Sequence, residues 1–339
     1  MNGWALRSFV QVFWCWRLDG KFMFQLRFLI PFTALLAFSS LFIGVGKVSI
    51  AGLMAGNEND WLLFIDSRLP RLIAIAIAGA SLSVCGLVMQ CLSRNRFVSP
   101  TTAGLEDSAR LGVLLAIIFF ASSSNLVQVA VAAITTFAGS LLFATILRTI
   151  KHRDAVFIPL VGMMLGNIIN AFTVFFALQF DLLQNIQSWL QGDFSGVLQG
   201  RYETLYISIP ALILIYFYAQ KFILAGLGES FAVNLGLNYK RTILFGLICV
   251  SISTASVVAT VGAIPFLGLI VPNIVALYIG DNLKKTLPHT AVMGILAVLM
   301  CDILARLIIY PYEVSVSLIM GVMGSFIFLT LLIKRYRYV

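Results

Sequence analysis

Long apolar runs separated by short polar segments dominate the pattern of this sequence. An α-helix needs about 20 apolar residues to cross a bilayer. Ten runs reach or approach that length, near residues 28–50, 68–92, 101–121, 125–148, 156–180, 203–224, 239–262, 267–279, 286–309 and 315–333. The pattern therefore predicts an all-α polytopic membrane protein with about ten transmembrane helices.

Two of the ten runs are irregular. The run at 267–279 is too short for a full crossing and contains Pro272, and the third run begins at Pro100 and carries charged residues. Short or broken helices are tolerated within a membrane where they line a cavity or are buried against other helices. We therefore expect both runs to lie inside the bundle.

Composition and charge agree with a membrane protein. Apolar residues make up 60% of the chain and charged residues 11%, against about 45–50% and about 25% in soluble domains. The net charge of +9 does not indicate nucleic-acid binding, because Lys and Arg fall mainly in the short gaps between apolar runs. The positive-inside rule then places both termini in the cytoplasm, with Ala51–Ser67 and Asp181–Tyr202 outside.

The N-terminal residues and the cysteines give little further information about function. Residues 1–27 mix Arg and Lys with Trp and contain no small-residue cleavage site, which predicts an uncleaved cytoplasmic arm at the membrane interface. Residues 28–339 are expected to form a single transmembrane domain. The five cysteines form no CxxC pair, so neither a disulfide framework nor a metal site is expected.

No group of residues indicates catalysis. The only histidines, His152 and His289, stand apart, and HExxH, GxGxxG and nucleophile-elbow motifs are absent from the sequence. The chain is therefore not expected to be an enzyme or to bind a cofactor. If it transports a solute, the energy must come from an ion gradient or from a partner.

Few carboxylates lie within the apolar runs. Glu106 and Asp107 precede Arg110 by four and three residues, so a helix would bring them onto one face as an internal ion pair. Asp302 precedes Arg306 by one helical turn. The Glu106 group is either a structural lock or part of a substrate route. An ion-driven carrier normally needs free carboxylates within its spans, and none is evident.

Seven segments in order resemble the permeases of bacterial ABC importers for iron–siderophore complexes, haem and vitamin B12. The resemblance runs from about residue 60 to the C-terminus, and its "RNRFVSPTTAG" form is similar to the catecholate-type siderophore subset. The segments are "RLPR" (68–71), "GASLSVCGLVMQ" (79–90), "RNRFVSPTTAG" (94–104), "WLQGDFSG" (189–196), "LGESFAVNLGLN" (227–238), "VGAIPFLGLIVPNIVAL" (261–277) and "DILAR" (302–306).

This resemblance implies a complete assembly. Family permeases have ten helices and pair around a central pathway, with two cytoplasmic ATPases that bind ATP and Mg and one periplasmic binding protein. The chain is then expected to be the inner-membrane permease of a ferric-siderophore importer, with a heterodimer favoured over a homodimer. Haem or vitamin B12 as substrate, an ion-driven secondary carrier and a membrane scaffold are the alternatives.

The polar segment 227–237 is the predicted contact with the ATPase. Glycine can begin and end a short helix here, an acidic residue favours its N-terminus, and an apolar pair at i, i+4 shares a face. The resemblance implies that this helix enters a groove of the ATPase. An ordinary interfacial loop is the alternative. The residues concerned are Gly228, Glu229, Ser230, Phe231, Ala232, Leu235 and Gly236.

Three arginines are predicted on the outer side, where the positive-inside rule disfavours them. Arg68, Arg71 and Arg306 occupy motif positions at which, by the resemblance, family permeases receive carboxylates of the binding protein. The alternative is that they snorkel to the interface or pair within the chain, Arg68 with Asp66 and Arg306 with Asp302.

Overall fold

The computed structural model describes residues 25–44, 46, 49–120, 124–149, 156–184, 191–280 and 282–336, and every regular element within them is helical. The predicted arm at 1–27 falls almost wholly outside these ranges. The helices are α1 Leu26–Ser40, α2 Ile50–Met54, α3 Glu58–Leu63, α4 Leu69–Ser93, α5 Leu105–Phe119, α6 Asn125–Thr149, α7 Phe157–Gln179, α8 Ser208–Gly226, α9 Glu229–Asn234, α10 Tyr239–Val261, α11 Leu267–Ile279, α12 Leu283–Leu307 and α13 Val316–Tyr336.

Ten of these helices coincide with the ten predicted runs, which confirms the all-α polytopic fold. Within the described residues, six helical stretches are long and apolar enough to cross a membrane, and shorter apolar helices accompany them. A π-helical turn, Phe64–Arg68, leads directly into α4. A turn of 3-10 helix, Glu203–Ile207, leads into α8.

The central element of the bundle is α4. It packs against α8, α10, α11 and α12. The most apolar part of α4 is mostly buried inside the bundle, whereas that of α7 is mostly exposed. The N-terminal half of α4 belongs to one apolar core, together with α12 and the start of α13. Its C-terminal half belongs to a second core with α8 and α10. Both ends of the bundle are therefore tied to this helix.

Close approach of α4 and α11 depends on glycine. A Cβ built on Gly86 would overlap the backbone carbonyl of Gly268. Small residues at such a crossing allow two backbones to touch, which is the main source of close packing between helices in a membrane. The short helix α11 is thereby held deep in the bundle, as expected for a run that cannot cross by itself.

Two predicted boundaries were wrong. The first run was expected to be helical to residue 50, but α1 ends at Ser40. The third run was expected to be helical from about residue 101, but α5 begins at Leu105. In the second case the Ser99 and Thr102 side chains bond to each other's backbone N–H groups, at 3.2 and 2.8 Å. Such local side-chain bonds compete with the helix.

Candidate functional site

The segment predicted to contact an ATPase forms a short helix, α9, between α8 and α10. Gly228 precedes it with φ +116°, a backbone conformation that other residues rarely adopt. Gly236 follows it with φ +78°, and its N–H bonds to the carbonyl of Val233 at 2.9 Å. The prediction of a short glycine-bounded helix is confirmed.

One side of α9 is anchored and the other is exposed. Ala232 is fully buried, whereas Phe231 and Leu235 are 52% and 56% exposed. The backbone N–H of Leu237 bonds to the Ala232 carbonyl at 3.0 Å and closes the end of the helix. A two-residue link to α8 and a four-residue link to α10 hold α9 against both spans. The result is a fixed apolar projection outside the bundle.

The three predicted outer arginines meet in a buried ion network. Asp302, which is 0% exposed, accepts hydrogen bonds from Nε and Nη2 of Arg71 at 3.0 and 2.7 Å. Its second oxygen accepts one from Arg306. Glu313 accepts another from Nη1 of Arg71 at 2.7 Å. A single carboxylate thus holds two guanidinium groups that approach from α4 and α12.

The same network caps the end of α1. Arg306 donates to the carbonyls of Ser40 and Ile43 at 3.0 and 2.8 Å. Arg68 donates to those of Ile43 and Gly46, both at 2.9 Å. The last carbonyls of a helix have no partner within it and carry partial negative charge. The arginines therefore bond to the last carbonyl of α1, which also accepts a long bond of 3.4 Å from the Ile43 N–H, and to two carbonyls of the segment that follows.

The outer arginines differ from their expected surface position, because each is less than one-tenth exposed. Arg306 pairs with Asp302, as the alternative interpretation expected. Arg68 bonds to carbonyls, and within the described ranges it forms no ion pair with Asp66. Docking of a binding protein at these residues stays a prediction. It requires at least that the ion pair between Arg71 and Glu313 opens.

A cavity of about 270 Å³ lies beside the start of α5. Its opposite wall is built by the turn before α11, the start of α13 and the segment that begins at Gln191. That segment is fixed by backbone bonds from Gly192 to Ala263 and from Asp193 to Val261, at 3.2 and 2.9 Å. The lining residues are Thr101, Glu106, Asp107, Arg110, Gln191, Ala263, Pro265, Ser315, Ser317 and Leu318.

The predicted charged group of α5 is found in this cavity. Arg110 pairs with Asp107 at 3.1 Å, which confirms an internal ion pair at the i, i+3 spacing. Glu106 is only 3% exposed and its Oε1 accepts a hydrogen bond from Thr101 at 2.7 Å. Its expected pairing with Arg110 is absent from the ion pairs of the described residues. The group therefore lines a cavity instead of being sealed within the core.

The FecCD transport family matches residues 32–334 of this chain, which include α9, the ion network and the cavity. The chain belongs to the FecCD transport family. The matched span leaves only the two ends of the sequence outside it. The resemblance inferred from the seven segments is thereby confirmed.

FecCD relatives match almost their whole length. The petrobactin import system permease protein YclN of Bacillus subtilis is 55% identical over 314 residues, 93% of this chain and 99% of that one. The ferric-anguibactin transport system permease protein FatD of Vibrio anguillarum is 42% identical over 308 residues, 91% of this chain and 98% of that one. Both names fall within the siderophore subset of the resemblance.

One solved structure has the same fold. It is an inward-facing metal-chelate type ABC transporter, superposed with a TM-score of 0.76 at 24% identity over 90% of this chain and 97% of that one. At this identity the likeness shows the fold and no more. It confirms the architecture expected for a permease of this family and a multi-pass membrane protein.

Sequence reasoning missed several residues of these sites. Glu313 lies eleven residues from Asp302 and 242 from Arg71, so no helical spacing connects them. Thr101, Gln191 and Ser317 join the cavity from three separate parts of the chain. The one sequence feature that could have indicated Glu313 was its position at the end of a predicted span, near the predicted outer arginines. No comparable local feature of the sequence indicated the cavity.

Proposed function

We propose that this chain is the transmembrane permease subunit of an ATP-driven ferric-siderophore importer and forms the translocation pathway across the bacterial inner membrane. The observation that carries the proposal is α9, a short helix between two spans with an exposed apolar face, which we assign to the cytoplasmic side. Because α9 lies between two spans, a movement of α9 would be transmitted to α8 and α10. The identity with the petrobactin and anguibactin permeases favours a siderophore over haem or vitamin B12.

Exposure of Phe231 and Leu235 is the physical argument for a partner. Burying one large apolar side chain is worth about 1.5–3 kcal/mol. A helix that exposes two of them beside a buried Ala232 gains that energy only when another surface covers it. The partner is a cytoplasmic ATPase subunit that binds ATP and Mg, and this chain itself binds no cofactor.

The remaining partners follow from the same assembly. A second permease subunit completes the pathway, as a heterodimer in preference to a homodimer, and both termini of this chain are cytoplasmic. A periplasmic binding protein delivers the chelate at the outer end, where Arg68, Arg71 and Arg306 are the candidate contacts. Charged groups at such a rim chiefly speed association and fix orientation.

An ion-driven carrier is the alternative from another class. Such a carrier needs carboxylates that can exchange a cation. Asp302 is held by two arginines and Asp107 by one, so the described spans offer Glu106 alone. A single available carboxylate argues against an ion-driven carrier and in favour of an external energy source.

The test compares two faces of α9 in the reconstituted importer. In Phe231→Asp with Leu235→Asp, we expect ATP-driven uptake of the ferric chelate to fall at least tenfold, because the apolar face no longer fits the ATPase. Val233→Asp is the matched control, since Val233 is 53% exposed and lies on a different side of the same helix. Membrane levels of all variants should be equal.

Three results would contradict the proposal. Uptake that is unchanged in the double variant would remove α9 as the coupling element. An equal loss in Val233→Asp would indicate a general effect of added charge. Uptake by this permease in the absence of any ATPase, driven by an imposed proton or sodium gradient, would favour the secondary carrier.

A further inference from the structure

The charges that line the cavity do not balance. Two carboxylates, Glu106 and Asp107, and one guanidinium, Arg110, face the same space. Asp107 accepts its hydrogen bond from Arg110 at 3.1 Å. Among the contacts of the described residues, Glu106 has a neutral hydroxyl as its partner, at 2.7 Å, and no ion pair. Among the described lining residues, carboxyl groups therefore outnumber basic groups by one.

Glu106 also retains an unused acceptor. Its Oε1 accepts the bond from Thr101, and its Oε2 accepts none from the part of the chain that the structure describes. The residue is 97% buried, as 3% of its surface is exposed. Burying an ionised carboxylate is costly unless a cation or several donors compensate it. A carboxylate oxygen that lines a cavity and receives no donor from the described residues offers a place for a ligand that supplies one.

We propose, on the basis of the proposed function, that this cavity binds a protonated amino group on an arm of the ferric chelate. Glu106 accepts that group through Oε2. The Asp107–Arg110 pair lies on the same helix as Glu106, and Ser315 and Ser317 offer hydroxyls from the opposite wall. Charge-assisted hydrogen bonds of this kind are about twice as strong as neutral ones. The site thereby favours chelates with cationic arms over polyanionic chelates.

The size of the cavity agrees with an arm and not with a whole chelate. Sites for drug-sized ligands occupy about 300–1,000 Å³, and this cavity is about 270 Å³. The iron centre therefore lies outside it, in the wider pathway. The cavity therefore recognises a substituent of the chelate and does not contact the atoms that coordinate the iron.

A structural role for Glu106 is the competing explanation. Its bond to Thr101 ties the first turn of α5 to the segment before it, and a carboxylate could be retained for that purpose alone. Glu106→Gln removes the charge but keeps an oxygen that can accept the Thr101 bond. Thr101→Val removes that bond but keeps the carboxylate. The two variants therefore separate the two roles.

The experiment measures binding of two probes to the purified permease–ATPase complex in nanodiscs, without binding protein. The probes are a radioiron catecholate chelate with amine-bearing arms and the same chelate with its amines acetylated. We expect Glu106→Gln to weaken binding of the amine form about tenfold and that of the acetylated form less than twofold. In Thr101→Val, which keeps the carboxylate, the amine form should still bind more tightly than the acetylated form. The control Glu203→Gln, at a carboxylate bonded to Gly200 and outside the cavity lining, should leave binding of both forms unchanged.

Specific results overturn the proposal. Equal losses for both chelates in Glu106→Gln, an unchanged ratio, or no binding of the amine form to the unaltered complex would each reject it. Because binding is measured without ATP or transport, its outcome is independent of the proposed function. Charge-dependent binding without ATP-driven uptake would reject the importer and retain the ligand class of the cavity.

Discussion

The ion network of Arg71, Asp302, Arg306 and Glu313 and the cavity beside α5 contain the same types of side chain in different states. In the network, Asp302 uses both oxygens on Arg71 and Arg306, and Glu313 and backbone carbonyls receive further guanidinium donors, while Nε of Arg306 has no partner among the described residues. Among the described residues, Glu106 in the cavity has one hydroxyl partner, Thr101, and its Oε2 accepts no bond. One region pairs its charges within the chain, and the other leaves a carboxylate oxygen for a molecule from outside.

This difference separates structural charge from functional charge. Charged side chains within a membrane are costly and persist where they pair or where they serve transport. The network joins α1, α4 and α12 at one end of the bundle, so its ion pairs and hydrogen bonds hold these three helices together. The cavity joins the first turn of α5 to segments that are brought close only through folding, and its additional carboxyl group does not hold helices together in this way.

The largest expected effect tests whether the network is structural. Asp302→Asn leaves the buried guanidinium of Arg306 without a counter-ion and that of Arg71 with Glu313 alone, and breaking a buried ion pair costs about 3–5 kcal/mol. We expect the free energy of unfolding to fall by about that amount, measured by denaturant titration of the purified protein in detergent. Asp193→Asn, at a partly exposed loop carboxylate, is the control. An unchanged unfolding midpoint would show that the network does not hold the fold.

A smaller effect is expected from opening the rim of the network. Glu313→Gln removes the charge opposite Nη1 of Arg71, and the Glu313 side chain is 22% exposed. Because solvent screens this pair, we expect a loss of about 1 kcal/mol of unfolding free energy.

The same variant tests the docking of the binding protein. If the arginines receive carboxylates of that protein, Glu313→Gln frees Arg71 and should raise capture of the loaded binding protein several-fold at low salt. Arg71→Glu is unsuitable for this purpose, because it would place a second carboxylate against Asp302. Unchanged capture in Glu313→Gln would remove Arg71 from the docking surface.

The smallest effect is expected in the cavity. Thr101→Val removes one hydroxyl bond to Glu106, and such a bond to a charged acceptor is worth about 1.5 kcal/mol or less at a site where water can replace it. We expect a change in unfolding free energy below about 1 kcal/mol, with the preference for the amine-bearing chelate retained. A loss as large as that of Asp302→Asn would make the cavity a structural element like the network.

Much of the fold was predictable because its signals are local. Apolar runs of spanning length locate the helices, and the glycines at 228 and 236 bound α9 through their backbone freedom. The pairs Asp107–Arg110 and Asp302–Arg306 follow from helical spacing alone. Helix ends were less predictable where Ser and Thr bond to the backbone, as at Ser99 and Thr102.

The sequence by itself determined the helices, the membrane, the family and the amphipathic segment that we assign to an ATPase, because each depends on neighbours along the chain. Tertiary structure alone decided that Arg68 and Arg71 are buried, that Arg71 meets Asp302 from 231 positions away, and that Ser317 faces Glu106 across a cavity. Those contacts depend on how helices cross and on which backbones approach closely. No periodicity within one segment specifies such distances.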